Sequence, residues 1–231
     1  HTIKKTKELQ PDRISFYSYA HVPWVKGVGQ RGFNENDLPK NDEKRALYEI
    51  GKKLFAELGY QEIGMDHFAL KTDTLFKATK QKTLHRNFMG YTANKTQLMI
   101  GLGMSAISDS WYGFAQNVKT VKEYQKIVNE GEIPVFRGHI LSKEDIVIRK
   151  HILNLMCNFY TSWDKKSTQI KNLVSHLYLL KELEKDGLVV IEEKSIVIPE
   201  KARPFVRNIC MAFDVLLQRK QPDVQLFSMT V

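Results

Sequence analysis

Cysteine is almost missing: Cys157 and Cys210 are the only two in 231 residues. That excludes a disulfide framework or a cysteine metal cluster built from this chain alone, and it suits a reducing compartment, the cytoplasm. No apolar run approaches the ~20 residues needed to span a bilayer, so no membrane partner is expected. The opening HTIKKTKELQPD has basic residues with no apolar segment behind them and does not read as a signal peptide. Histidines number seven, and no pair has the spacing of a metal motif such as H-E-x-x-H, so no metal ligand is assigned. Internal repeats and low-complexity segments are lacking as well.

What is there is ordinary globular composition, 42% hydrophobic and 26% charged. The net charge of +9 attracts anions, whether nucleic acid, an acidic membrane face or a polycarboxylate. Lys and Arg are spread along the chain without a run of five or six, which reads as a solvated basic surface, with no nucleic acid expected.

RISFYSYAH (13–21) is rich in β-branched and aromatic residues and stops before Pro23, which cannot continue a ladder. After a Gly- and Asn-rich loop, Leu47, Ile50, Leu54, Phe55 and Leu58 fall at helical spacing behind a cap at Asn41 or Asp42, and Gly59 ends the run. YQEIGMDHF (60–68) reads as the next strand. Strand, helix, strand is the βαβ pattern, which predicts parallel strands and places the polar groups at strand ends, His21, Asp66 and His67, at one mouth.

LMIGLGMSAIS (98–108) is a third apolar run, in which Gly101, Gly103 and Ala106 formally match G-x-G-x-x-A. The match is rejected because ISDSWYGFAQN follows, where the motif needs a helix. Its small residues admit close approach by a ligand or by another strand.

From residue 119 helices take over: a surface helix in KTVKEYQKIVNEG, then one capped by Ser142 and Asp145 with Ile148, Ile152, Leu155, Met156 and Phe159 on one face. A third runs to Gly187 with Ile170, Leu173, Leu177, Leu180 and Leu183 inward. LVVIEEKSIVI is a tight hairpin, and Pro199 opens a last helix carrying Phe205, Ile209, Cys210, Phe213 and Leu216. The expected division is an α/β unit over 1–140 and, over 141–231, a mainly helical domain with a two-stranded β-hairpin wing.

Taken singly, His21, His67 and His85 read as structural, hydrogen-bonded residues. Asp66 and His67, being neighbours in a strand, are expected on opposite faces. Arg86, Asn87 and Tyr91 around Phe88 suit a carboxylate, through a bidentate fork and hydrogen bonds, or else form a rim loop. Both cysteines read as small buried hydrophobes. Arg203, Arg207, Arg219 and Lys220 suggest a winged-helix DNA reader but interleave with a core stripe, the usual solvated face of an amphipathic helix.

YAHVP, GYQEIGMDHFA, LHRNFMGYT, GLGMSAIS, FAQN, KDGLV and RNICMAFD occur in this order. Together they resemble the C-terminal half of oxygen-independent coproporphyrinogen III oxidase, a radical S-adenosylmethionine family, from about Pro11 to Ser228. The resemblance implies a partial radical-SAM-type βα barrel followed by the helical domain. It implies oxidative decarboxylation of two propionates of coproporphyrinogen III to vinyls, giving protoporphyrinogen IX in haem biosynthesis, through a 5′-deoxyadenosyl radical. The implied cofactors are S-adenosylmethionine and a [4Fe-4S] cluster, whose Cys-x-x-x-Cys-x-x-Cys ligands are not in this chain.

By the same resemblance Ala20 and Ile107 line S-adenosylmethionine sites, and Phe88 is an aromatic near the substrate. Two positions depart from the family: Met89 stands where Gln is usual, and Met229 where Arg is usual. The implied partners are coproporphyrinogen III, an electron donor for the cluster and the missing N-terminal half, without which the chain is expected to be inactive. A barrel cut there exposes a strand edge, so self-association is a further expectation. Arg31, Arg86 and Arg137 are candidates for the substrate's propionates. The alternative is a cluster-free paralogue that binds haem, another tetrapyrrole or nucleic acid.

Overall fold

A computed structural model describes residues 2–22, 32, 34–169 and 177–214. Pro23, Arg31, Ile170, Leu173, Leu216, Arg219, Lys220 and Met229 lie outside the described residues.

Helix α1 (Thr2–Leu9) leads into a short strand β1 (Arg13–Ser15), and residues 16–22 continue outside any strand. The long helix α2 (Asn41–Glu57) follows. Its cap position is Lys40, with no side-chain hydrogen bond, so Asn41 and Asp42 are the first helical residues rather than the cap. Its buried face also differs from the expected stripe. Leu47 and Ile50 are 49% and 56% exposed, while Tyr48, Phe55 and Leu58 join Phe16, Tyr60 and Phe68 in an aromatic cluster. Phe16 stacks on Tyr48 and meets the Phe55 ring edge-on, so aromatic packing rotates the helix about its axis.

The stretch read as one strand is a hairpin: β2 (Tyr60–Gly64), a turn at Met65–Asp66, and β3 (His67–Leu70). Asp66 sits at φ 62°, a left-handed conformation that short polar side chains tolerate better than most. The sheet order is β1-β3-β2, with both neighbouring pairs antiparallel. β1 and β2 therefore run in the same direction, as the βαβ pattern requires, but β3 lies between them. The expectation of adjacent parallel strands is corrected by that inserted strand, and every described strand pair is antiparallel.

Helix α3 (Thr74–Lys80), which the sequence reading missed, is started by the Asp73 carboxylate accepting from the Leu75 amide. LHRNFMGYT forms a second hairpin, β4 (His85–Asn87) and β5 (Gly90–Thr92), with Phe88 and Met89 as its tip. ISDSWYGFAQN forms a third, β6 (Ile107–Ser110) and β7 (Gly113–Asn117), and β8 (Val135–Ile140) adds to β7 after the exposed helix α4 (Val121–Asn129). No helix follows Ala106, in line with the rejected dinucleotide fingerprint. A Cβ on Gly101 would come within 2.8 Å of the Ile107 carbonyl oxygen, so the close neighbour of the small residues there is the chain itself.

Helix α5 (Lys143–Asn158) has the expected capping box between Ser142 and Asp145. It stops one residue short of Phe159, which takes a left-handed cap at φ 55° and turns the chain into β9 (Tyr160–Ser162). β9 pairs with β11 (Ser195–Val197), and β11 with β10 (Val190–Ile191), so the expected two-stranded hairpin is present with a third strand added. Between them lies α6 (Lys181–Lys185). Pro199 opens a 3-10 turn, Glu200–Phe205, and α7 (Val206–Met211) follows. Leu155, Leu180, Ile196, Val206, Ile209 and Phe213 form the centre of the largest core cluster. The opposite side of α5 sends Cys157 into a second cluster with Ile63, Ala69, Leu75 and Tyr91. One helix thus ties the first hairpins to the C-terminal elements.

Candidate functional site

Three segments distant in sequence, IGMDHFA, LHRNF and RNICM, converge where the Met65–Asp66 turn meets the β4–β5 hairpin and α7. The hub is Tyr91. Its hydroxyl donates to the Met156 carbonyl at 2.8 Å and accepts from the Met65 amide at 3.3 Å, and the His67 ring meets it edge-on at 5.1 Å. The Arg86 guanidinium lies 4.8 Å over the Tyr91 ring. A Cβ at Gly64 would overlap that ring, so only glycine lets the hairpins close on each other. Burial pushes the Tyr91 hydroxyl up to about 12.

Burial likewise raises the Asp66 carboxyl above its ordinary range, against the opposing pull of His67, Arg207 and Arg86. His67 is held by its Nδ1, 2.8 Å from the Met65 carbonyl oxygen. Arg86 is half-buried beside this group, with Nη1 unpaired and with its charge felt by both cysteines. Cys157 and Cys210 are buried, and burial pushes their thiols up to about 11 and about 12. These groups look inward. Their arrangement locks two turns and three segments together.

The outward-facing chemistry is on the β6-β7-β8 sheet. Residues paired across an antiparallel ladder share a face. Ile107 pairs with Gln116 and Gln116 with Arg137, while Asp109 pairs with Phe114 and Phe114 with His139. With the alternation along each strand, all six lie on one face. Arg137 Nε donates to Gln116 Oε1 at 2.9 Å, which steadies an exposed cation on that face. The Phe88 ring, on the tip of the β4–β5 hairpin, meets the Phe114 ring edge-on at 5.3 Å and 87° and stays 54% exposed. The structure therefore brings Phe88, Ile107 and Arg137 to one sheet face, whereas Arg86 leaves from the base of the same hairpin toward Tyr91. Ala20 is exposed, in the stretch outside any strand that follows β1.

Other titratable groups have structural settings. His151 is fully buried, with Nδ1 2.7 Å from the Thr161 hydroxyl and Nε2 2.8 Å from the Thr168 carbonyl oxygen. Burial lowers the His85 pKa, helped by Lys95 and Arg149 and opposed by Asp109. Arg203 lies over the Phe159 ring at 4.7 Å. Sequence reasoning missed Phe114, Gln116, Asp109 and Arg149. Alternation in GFAQN could have placed Phe114 and Gln116 on one face, but nothing in the sequence pairs Asp109 with Arg149, 40 residues away.

No family model matches the chain. Among curated proteins it is 39% identical over 235 residues to the oxygen-independent coproporphyrinogen III oxidase of Salmonella typhimurium, covering 100% of this chain and 51% of that protein. The Escherichia coli K12 enzyme of the same name is 38% identical over 237 residues with the same coverage, and a Helicobacter pylori one 34% identical over 222 residues, covering 94% and 48%. A solved coproporphyrinogen III oxidase from Escherichia coli, described as a radical SAM enzyme, superposes with a TM-score of 0.85 at 38% identity, covering 94% of this chain and 51% of that one. The chain spans about half the length of the curated relatives it matches. By sequence over its whole length and by fold, the chain is similar to the C-terminal half of the oxygen-independent coproporphyrinogen III oxidases.

Proposed function

We propose that this chain supplies the substrate-side half of an oxygen-independent coproporphyrinogen III oxidase, which turns two propionates of coproporphyrinogen III into vinyls by oxidative decarboxylation. The observation that carries the reading is the shared sheet face. Phe88 offers an exposed aromatic ring to a planar macrocycle, and Arg137 offers a steadied cation to its carboxylates. Ile107 presents a half-buried apolar side chain on the same face, which suits contact with S-adenosylmethionine. Ala20, exposed and outside any strand, is proposed to line that cofactor as well.

The chain's own residues do not fit an iron–sulfur cluster. It has two cysteines, both buried with raised thiol pKa values, and no group of three His, Cys, Asp or Glu among the described residues could hold a metal. In this reading the cluster, and the electron donor that reduces it, engage the other half of the enzyme. The barrel is completed there too, with the division of this chain placed at 140/141. No helix among the described residues is long and apolar enough to cross a membrane, and a cytoplasmic enzyme is proposed.

A chimera tests the proposal: the N-terminal half of the Salmonella relative joined to this chain in place of its own second half. Anaerobic conversion of coproporphyrinogen III to protoporphyrinogen IX is expected. A folded, cluster-loaded chimera that leaves the propionates intact would refute it.

A further inference from the structure

Phe88 projects from the tip of a two-stranded hairpin and is more than half exposed, so its own burial does little to fix it. What fixes its ring is a layered contact behind it. Phe88 meets the Phe114 ring edge-on at 5.3 Å, and the Arg149 guanidinium lies 4.9 Å over that same Phe114 ring. Arg149 is itself held in place. Its Nη2 donates to both Asp109 carboxylate oxygens at 2.7 and 2.8 Å, and its Nη1 donates to the Ser110 carbonyl at 3.1 Å.

Asp109 is buried and stands directly across the ladder from Phe114, so carboxylate, guanidinium and ring lie on one face in a fixed order. A planar guanidinium with several donors can satisfy a carboxylate and a carbonyl while stacking on a ring, which a lysine ammonium cannot do.

We propose that Arg149, clamped by Asp109, is a positioning residue for Phe88: through Phe114, helix α5 sets the place of the aromatic that meets the substrate. This rests on the substrate reading of Phe88 given above. It connects the C-terminal helical part to ligand binding without Arg149 touching the ligand. A purely structural ion pair would stabilise the chain equally whether or not residue 88 carries a ring. A positioning residue acts only when that ring is there.

The test uses the full 231-residue chain and coproporphyrin III, the stable fluorescent tetracarboxylate, as probe. Affinity is measured for wild type, Phe88→Ala, Arg149→Met, the double variant and Arg149→Lys. Arg149→Met is expected to weaken binding about three- to tenfold, on the scale of a partly desolvated cation–π contact. Arg149→Lys should recover only part of that loss, and the double variant should be no weaker than Phe88→Ala alone. Losses that multiply in the double variant would overturn the proposal.

Amide hydrogen exchange of residues 86–91 gives a second readout that needs no ligand. The variant for it is Asp109→Asn/Arg149→Met, which leaves no stranded buried carboxylate. About tenfold faster exchange in the hairpin, with α5 as protected as in wild type, is expected. Unchanged hairpin exchange would overturn the positioning role. Wild type that fails to bind coproporphyrin III would defeat the substrate reading alone, and hairpin exchange would still decide whether α5 holds the tip.

Discussion

The Tyr91 hydroxyl donates to the Met156 main-chain carbonyl at 2.8 Å, joining the β4–β5 hairpin to the last turns of α5. The same oxygen accepts from the Met65 amide, so one hydroxyl fastens three segments. Tyr91→Phe keeps the ring and the Arg86 contact but strands a buried carbonyl and a part-buried amide. Chemical denaturation should show a loss of about 1–3 kcal/mol, as expected for a buried partner left unsatisfied. A loss within experimental error would mean the hairpin is held by ring packing alone.

Asp66 gives a pH signature. Its carboxyl is raised above the ordinary value of 3.8, first by burial, so the folded state keeps its proton longer than the unfolded chain does. Where only the folded state is protonated, it binds more protons, and stability falls as pH rises through that window. Asp66→Asn removes this dependence and also suits the left-handed turn. The variant should therefore be more stable than wild type near neutral pH, with the gap closing as pH falls through the raised folded-state value and gone below about 4, where the unfolded carboxyl is protonated as well. Thermal melts across pH 3–8 decide it, and a gap that widens toward acid would contradict the sign.

The two cysteines should behave as inert core residues. With thiols pushed up to about 11 and about 12 by burial, neither Cys157 nor Cys210 holds appreciable thiolate at pH 8. Iodoacetamide should leave both unmodified in the folded chain and label both in urea. Rapid labelling of either one under native conditions would show that α5 or α7 opens readily.

Much of the helical organisation was legible in the sequence. Ser142 and Asp145 announce α5 by reciprocal capping, and Gly59 follows α2 as expected. The Ile209, Cys210 and Phe213 stripe is buried as its spacing implied. The tight turns were not legible. IGMDHF reads as a continuous strand because Ile63, Met65 and Phe68 keep it apolar on both sides of the turn, and Asp66 takes a left-handed backbone without a glycine to signal it.

The face of α2 was misread for a different reason. Leu47 and Ile50 have helical spacing, but the aromatic cluster around Phe16 claims the other side of the helix, and that cluster forms only in three dimensions. The candidate site divides the same way. Phe88, Ile107 and Arg137 could be named from a resemblance or from charge, but their common face depends on strand pairings that no local pattern encodes.

The most direct test of the central claim is a residue-resolved NMR titration of this chain with coproporphyrin III. The account predicts that shifts concentrate on the face of the β6-β7-β8 sheet, at Ile107, Phe114, Gln116 and Arg137, and on the Phe88–Met89 tip. Shifts confined to the β10-β11-β9 sheet or to α7, or no shifts at all, would contradict it.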